Sequence, residues 1–415
     1  MSSKLSVQRC FHPVGQGAFY SEKFTVGEES RYVIYDCGTK TKTVNIENVI
    51  QKYFTKKGAK IPFLFISHLD SDHISGIQHI LEYCDVDYLF LPLLTDEIKL
   101  VLLADTISED AFFLELICNT DETVRSHGRG TQVVYVESSS ENADIPGRQA
   151  LPFDLLSSED NFRHDYIRIN TEGKIVIPSG MTFTFPSNEF SSARNKMGAS
   201  IWCFSPFNYE FPKRSEEFKK RLDRLNILYN SKDIKEVWTR HKDEIKNEFD
   251  ETGGGKNNQH TNNMSLYSGP CVIRDINEEH TARFFMLGEY SSCRCCDCCG
   301  CGKCWQCYVR HNAKIGAVYT GDYKAKPKKM MKQFDLHFDR WEDTIGILQL
   351  PHHGSPENFN NKFIDYSDIF FVSFGLSNQY HHPSPTVIHE LLRCGKVVYF
   401  SHEGSGVIQN IEILE

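Results

Sequence analysis

Four side chains able to hold a metal ion crowd into the stretch SHLDSDHISG from Ser67 to Gly76: His68, Asp70, Asp72 and His73. Imidazole nitrogens and carboxylate oxygens are common ligands of the divalent ions in hydrolytic centres. The preceding run, Ile61 to Ile66, is continuously apolar and predicts a buried strand. A strand ending there hands its side chains to a loop, so that His68 and Asp70 can face one ion and Asp72 and His73 a second. Two such cations activate water and neutralise an anionic transition state. A plain polar turn uses Asp or Ser but has no need of flanking histidines.

His-x-Asp-x-Asp-His, followed by a small residue and Gly, resembles the metal motif of the metallo-β-lactamase fold hydrolases. Asp70 stands where the commoner form has a second His. Other segments resemble the same family in the same order. FHPVGQGAF (Phe11 to Phe19) is similar to its Val-Gly-Gln-Gly turn, where Gly15 and Gly17 permit a tight backbone. YVIYDCG (Tyr32 to Gly38) is similar to its strand ending in Asp-x-Gly. Asn262 to Leu266 matches Asn-x-x-Ser-Leu, and Ala317 to Asp322 matches the partner strand ending in Gly-Asp. LQLPHHGS (Leu348 to Ser355) and VSFGLSNQYHHPSP (Val372 to Pro385) complete the set. Together they resemble the soluble hydrolase domain of the ComEC competence proteins. The resemblance covers residues 10–90 and 260–410 and implies an αββα sandwich.

The resemblance also implies roles. His68, Asp70, Asp72, His73, Asp322 and His353 would form the metal shell, with the Asp322 carboxylate bridging two ions. His352 would face the substrate, although the two histidines cannot be told apart by sequence. Adjacent side chains on a strand point to opposite faces, so both can be ligands only where the strand has ended. Asp72, His352 and His382 form the expected catalytic set, His382 as an outer ligand or a proton donor. Asp36 is expected to hold a ligand histidine from behind, and Ser355 to lie near a phosphate. His402, after the strand 396–400, is a further candidate, and His381 reads as a surface residue. A centre so rich in carboxylate favours Mn²⁺ or Mg²⁺ over Zn²⁺. The expected function is metal-dependent phosphodiester hydrolysis, on DNA or RNA, as in an effector of defence against foreign DNA. The alternative is a small phosphodiester such as a cyclic nucleotide, which needs a closed pocket.

Eight of the 15 cysteines lie between Cys293 and Cys307: Cys293, Cys295, Cys296, Cys298, Cys299, Cys301, Cys304 and Cys307. An odd total, with no apolar leader in MSSKLSVQRC, predicts a reducing cytoplasm and structural Zn²⁺ rather than disulfides. Absence of any apolar run long enough for a membrane span predicts no membrane partner. The net charge of −9 argues against coating nucleic acid by bulk electrostatics, but not against a nuclease whose ions supply positive charge.

These groups need a scaffold. Three parts are expected: a first half of the core (1–91), an insertion or cap (92–261) and a second half (262–415), with a cysteine-rich hairpin at 288–312. Helices are predicted over 43–57, 74–83, 95–103 and 108–118, and long loops over 121–148. A hairpin across Ser179-Gly180 is expected between 174–178 and 181–185. Ile201 to Pro206 reads as a strand returning to the core. Two amphipathic helices follow, carrying Phe218, Leu222, Leu225 and Tyr229, then Ile234, Trp238, Ile245 and Phe249 after the cap candidate Ser231. Their balanced charges suit a solvated face, and this pair is the expected place for a cap or a protein partner. Gly253-Gly254-Gly255 reads as a link.

Overall fold

The computed structural model describes residues 3–105, 111–139, 150–154, 166–190, 201–210, 212–229, 233–251, 262–271, 280–287, 308–311 and 314–414. Its strands, in chain order, are β1 (Ser3–Phe11), β2 (Phe19–Val26), β3 (Glu29–Cys37), β4 (Lys60–Phe65), β5 (Asp85–Pro92) and β6 (Gln132–Val136). Then come β7 (Leu151–Pro152), β8 (Arg168–Ile169), β9 (Ile175–Ile177), β10 (Phe183–Thr184), β11 (Trp202–Glu210) and β12 (Asn262–Pro270). The last are β13 (His280–Leu287), β14 (Tyr308–His311), β15 (Gly316–Tyr319), β16 (Ile345–Gln349), β17 (Ile369–Ser373), β18 (Val397–Ser401) and β19 (Gly406–Leu414).

They form two sheets, ordered β14-β13-β19-β1-β2-β3-β4-β5-β6-β9-β8 and β18-β17-β16-β15-β12-β11-β10-β7. Strand alternation explains how they stack. On β4, Phe63 and Phe65 join an apolar cluster shared with Phe183, Phe204, Tyr319 and Phe371 of the other sheet. Leu64, pointing the other way, joins a second cluster with helical residues such as Ile50, Ile77, Leu100, Trp238 and Phe249. A third cluster sets Val318, Leu348 and Phe370 against Phe334, Phe338 and Leu391 of the helices Lys328–Phe338 and Pro385–Arg393. The order is therefore helices, sheet, sheet, helices. Fully burying each such aromatic or Leu contributes about 1.5–3 kcal/mol.

The strands expected at 61–66, 86–91 and 201–206 are present, as are helices at Ile46–Tyr53, Asp96–Asp105 and Ala111–Cys118. Asn45 caps the first of these, its side chain accepting from the Asn48 N–H. The helix expected over 74–83 is split into Ser71–Ile74 and Ile77–Tyr83. The Gly76 N–H turns to the Cys37 carbonyl, and a Cβ there would meet Cys37 Sγ at 2.6 Å.

One expectation is incomplete and two fail. The segment 121–148, expected to contain long loops, also holds regular structure, since Thr120–His127 is helical and β6 follows, while 140–148 lies outside the described residues. Val124, Val133 and Val134 are buried, and their apolar spacing was diluted by polar neighbours. The hairpin across Ser179-Gly180 does not form. β9 pairs in parallel with β6 in one sheet, whereas β10 pairs with β11 in the other. The turn there carries the chain between sheets, and Gly180 N–H bonds to the Pro206 carbonyl. Finally, β12 and β15 are antiparallel neighbours, yet β13 and β14 are not an extension of that pair. They lie in the other sheet, with β13 beside β19. The cysteine segment thus joins β13 to β14; Cys293 to Cys307, Ser231 and Gly253 to Gly255 lie outside the described residues.

Strands from 92–261 occupy places in both sheets. The helices Pro212–Arg224 and Ile234–Glu251 bury Phe218, Leu222, Ile234, Trp238, Ile245 and Phe249 in the same cluster as the helix Asp96–Asp105. Leu225 lies beyond the helix end and is exposed. Among the described residues no helix is long and apolar enough to cross a membrane.

Candidate metal centre

β3, β4 and β5 run parallel, as do β15, β16 and β17 except that the first of these also faces antiparallel β12. The residues with metal-binding chemistry follow the carboxyl ends of these strands. Asp36 lies at the end of β3, His68 just past β4, Asp322 just past β15, and His352 and His353 just past β16. Ligand sites in α/β folds gather at such ends because the backbone leaves the sheet there and side chains from several strands can converge. Close backbone approach is required too. A Cβ on Gly38 would lie 2.5 Å from the Asp72 backbone, and one on Gly321 (φ +55) would lie 2.5 Å from Asn263 Oδ1.

Two overlapping triads result: His68, His73 and Asp322, and Asp72, His73 and His353, each with ligand atoms within 4.8 Å of one another. His73 Nε2 is 3.5 Å from Asp322 Oδ1, and His353 Nε2 is 3.5 Å from Asp72 Oδ2. His68 Nε2 and His352 Nε2 lie 3.7 Å and 3.6 Å from Asp322 Oδ2.

Every one of these imidazoles is held from behind through Nδ1. His73 Nδ1 donates to Asp36 Oδ2 at 2.8 Å, and His353 Nδ1 donates to the Ser373 carbonyl at 2.8 Å. His352 Nδ1 faces Asn358 Oδ1 at 3.2 Å; the Asn358 amide nitrogen is committed to the Asp322 carbonyl. Ser67 donates its hydroxyl to Asp36 Oδ2, so its oxygen accepts from His68 Nδ1 at 2.8 Å. With the proton on Nδ1, each ring turns a lone pair on Nε2 toward a carboxylate. His73 Nε2 and His353 Nε2 are buried with no hydrogen-bond partner among the described residues. Acceptors facing acceptors at this distance repel unless a cation lies between them. The donor set therefore fits divalent ions, and the Nδ1 contacts are the outer contacts that fix ligand tautomers.

Burial pulls His73 down, but Asp36 and Asp322 outweigh it and hold the imidazole well above its ordinary pKa. Burial would raise Asp72, yet Lys40, His353 and His73 hold it well below the carboxylate range. Lys40 Nζ donates to Asp72 Oδ1 at 2.8 Å from a half-exposed position. Burial raises Asp36, with His73 and Ser67 opposing. Backbone strain concentrates here. Among the described residues, the non-glycine residues with positive φ are Asp36, His352, His353 and His381, together with Asn226. Each costs on the order of 1–3 kcal/mol and persists only where the surroundings over-determine it.

The grouping differs from that expected. His68 shares Asp322 with His73, and Asp72 is grouped with His353. Asp70 belongs to neither triad, its Oδ2 lying 3.8 Å from His68 Nε2 and partly exposed. His352 and His353 both face carboxylates, because β16 ends at Gln349 and positive φ at both residues turns their rings inward. The His382 ring is 5.8 Å from that of His352. Burial, then His352 and His353, lowers His382 to about 4, so it is a neutral imidazole at pH 7, better suited to accepting or ligating than to giving up a proton. Asn378 brackets that loop, accepting from His382 N–H and donating to its carbonyl. Ser355 Oγ accepts from the Glu357 N–H. His402 accepts from the Gly404 N–H and lies at a tilt to the Phe374 ring, and it belongs to neither triad.

Sequence reasoning missed Lys40, Ser67, Asn358 and the positioning role of Asn263. Asn263 accepts from Asp322 N–H at 2.8 Å and donates to the Thr320 carbonyl. Its place beside the Gly-Asp strand end was the available signal; Lys40 and Asn358 had none.

No known family and no curated protein matches the sequence. Two solved structures show a faint likeness. Human tRNase Z, short form, is 8% identical with a TM-score of 0.32 over 95% of this chain and 92% of that one. A long form RNase Z from yeast is 8% identical with a TM-score of 0.27, over 83% of this chain and 32% of that protein. Likeness at this level carries no argument, and the reading below rests on the site.

Proposed function

We propose that this protein is a hydrolase of the metallo-β-lactamase fold that uses two divalent ions to cleave phosphodiesters in nucleic acid. One observation carries the reading: imidazoles whose Nδ1 atoms are tied down turn Nε2 toward the carboxylates of Asp72 and Asp322 at 3.5–3.7 Å. His68, His73 and Asp322 would hold one ion, with Asp70 at its rim, and Asp72 and His353, beside His73, would hold the other. Ions bound there supply an activated nucleophile and neutralise charge on a phosphoryl group. Phosphodiesters need such neutralisation, and the resemblance of the sequence motifs to those of ComEC-type domains supports the same reading.

The protein's own groups do the rest. Asp36, Ser67, Asn358 and the Ser373 carbonyl orient the ligand rings and leave nothing to reorganise. His352 faces Asp322 from the more open side, where it would meet substrate oxygens. His382, neutral beside it, would hold or accept a proton there. The carboxylate-rich donor set favours Mn²⁺ or Mg²⁺ over Zn²⁺. The cysteines from Cys293 to Cys307 are proposed to bind Zn²⁺ for structure alone, and the helices at 212–251 to offer a surface to a protein partner.

The test is metal-stripped protein reloaded with Mn²⁺, Mg²⁺ or Zn²⁺ singly and incubated with labelled single- and double-stranded DNA, RNA and cyclic nucleotides. Cleavage with Mn²⁺ or Mg²⁺ is expected. Failure to cleave any of them with any ion removes the proposal.

A further inference from the structure

A cavity of about 620 Å³ opens at the carboxyl ends of β5 and β6, and Leu69, between His68 and Asp70, forms part of its wall. Its size lies within the roughly 300–1,000 Å³ of small-molecule sites. Leu91, Pro92, Leu93 and Leu94 supply an apolar side, and the charged residues around it are Lys99, Lys174, Asp121, Glu122 and Glu172. Several of these are already engaged. Lys174 pairs with Glu172 at 2.5 Å and lies over the Tyr135 ring, and Asp121 Oδ2 accepts from Tyr135 Oη at 2.7 Å.

Lys99 is different. It is 8% exposed, and among the described residues its ammonium has one carboxylate oxygen within ion-pair range, Asp96 Oδ1 at 4.0 Å. A buried ammonium without a hydrogen-bonded counter-ion is costly, and an anion in the cavity would offset that cost. Asp121, Glu122 and Asn119 offer acceptors for N–H groups elsewhere in the wall.

We propose that this cavity binds a nucleoside monophosphate, its phosphate on Lys99 and a base bearing an exocyclic amine toward Asp121 and Glu122. The choice of a nucleotide among organic anions with N–H donors rests on the phosphodiesterase reading of the adjacent centre. The site itself needs no metal.

Chelator-treated full-length protein is dialysed against labelled guanosine, adenosine, cytidine and uridine monophosphates and inorganic phosphate. The first three are expected to bind, with uridine monophosphate and phosphate weaker. Lys99→Met should weaken binding on the order of tenfold or more, as loss of a charged hydrogen bond does. On the wild type, bound nucleotide should slow acetylation of Lys99, read by mass spectrometry. The proposal is overturned if folded metal-free protein binds none of the four nucleotides, if Lys99→Met binds them equally well, or if Lys99 is acetylated at an unchanged rate. A protein that binds nucleotide but cleaves nothing when loaded with metal keeps this proposal and loses the preceding one. In a protein that does cleave, competitive inhibition by the nucleotide marks a substrate subsite and non-competitive modulation marks a separate effector.

Discussion

Two buried polar clusters lie between the sheets, and they are built on opposite principles. Around Arg9 everything is satisfied. Its guanidinium, fully buried, donates to Glu22 Oε1 at 2.6 Å, to Gln409, and to the carbonyls of Ile315 and Ser268, and it sits 5.2 Å from the Trp202 ring. Glu22 in turn accepts from Ser268 and Tyr319 hydroxyls. This cluster carries its own cation. Among the described residues the cluster around Asp322 holds carboxylates and imidazoles without a guanidinium, and Lys40 reaches Asp72 from a half-exposed position. The first knits six strands together, and the second gathers imidazoles and carboxylates that follow the strand ends.

The comparison breaks most sharply at the carboxylates. Asp322→Ala or Asp72→Ala should cost more than the roughly 100-fold that loss of a supporting contact costs a metal site. Turnover should vanish while the melting temperature stays near wild type. Wild-type turnover with unchanged metal content would remove both residues from the centre.

Arg9→Met should do the reverse, destabilising the fold by about 3–5 kcal/mol because Glu22 is left buried and unpaired. Denaturant melts measure this. The double change Arg9→Met with Glu22→Leu should recover much of the loss, and a double variant no better than the single would show that packing, not charge, dominates.

Adding Mn²⁺ to stripped protein at about 100 times its dissociation constant should stabilise it by about 2.7 kcal/mol. Calorimetry with and without chelator reads this, and Arg9→Met should show the same increment. No metal-dependent shift would contradict the open character of the centre.

Asp36→Asn should weaken metal binding by roughly 10–100-fold through the freed His73 ring. Titration of stripped protein checks it, with Asp36→Glu as the conservative comparison. Equal affinity in Asp36→Asn would mean that His73 is oriented without it.

A separate effect concerns pH. Burial lowers His12 to about 3, where its Nε2 bonds to Ser21 Oγ and its ring stacks on Phe19. Its folded pKa lies below its unfolded one near 6.5, so the unfolded chain binds the proton first. Stability from this group is complete above about pH 6.5 and falls by at most about 1.4 kcal/mol per unit between there and pH 3. His12→Gln should flatten that slope; an unchanged slope would assign acid sensitivity elsewhere.

The clustering of these side chains was partly legible in sequence because residues able to hold a metal are of restricted type, and continuous apolar runs locate the strands that precede them. His68, Asp322 and His353 lie just past such runs, and Asp72 and His73 in the short helix that follows the first. Asp36 was legible for the same reason. The elements least legible were short and mixed in character, such as β6, β9 and β10, whose partners decide their sheet.

What the sequence determined by itself is the set of side chains with metal chemistry and the strands that deliver them, since alternation and residue type are local. Which ligands share a carboxylate was decided only by tertiary structure. His73 meets Asp322 because β4 and β15 end on facing sheets, and His352 meets it because positive φ after β16 reverses the chain. The same holds for the cavity at Lys99, where a helix of ordinary composition buries one ammonium beside the ligand loop. Charge and spacing along the chain carry no record of which groups burial will bring together.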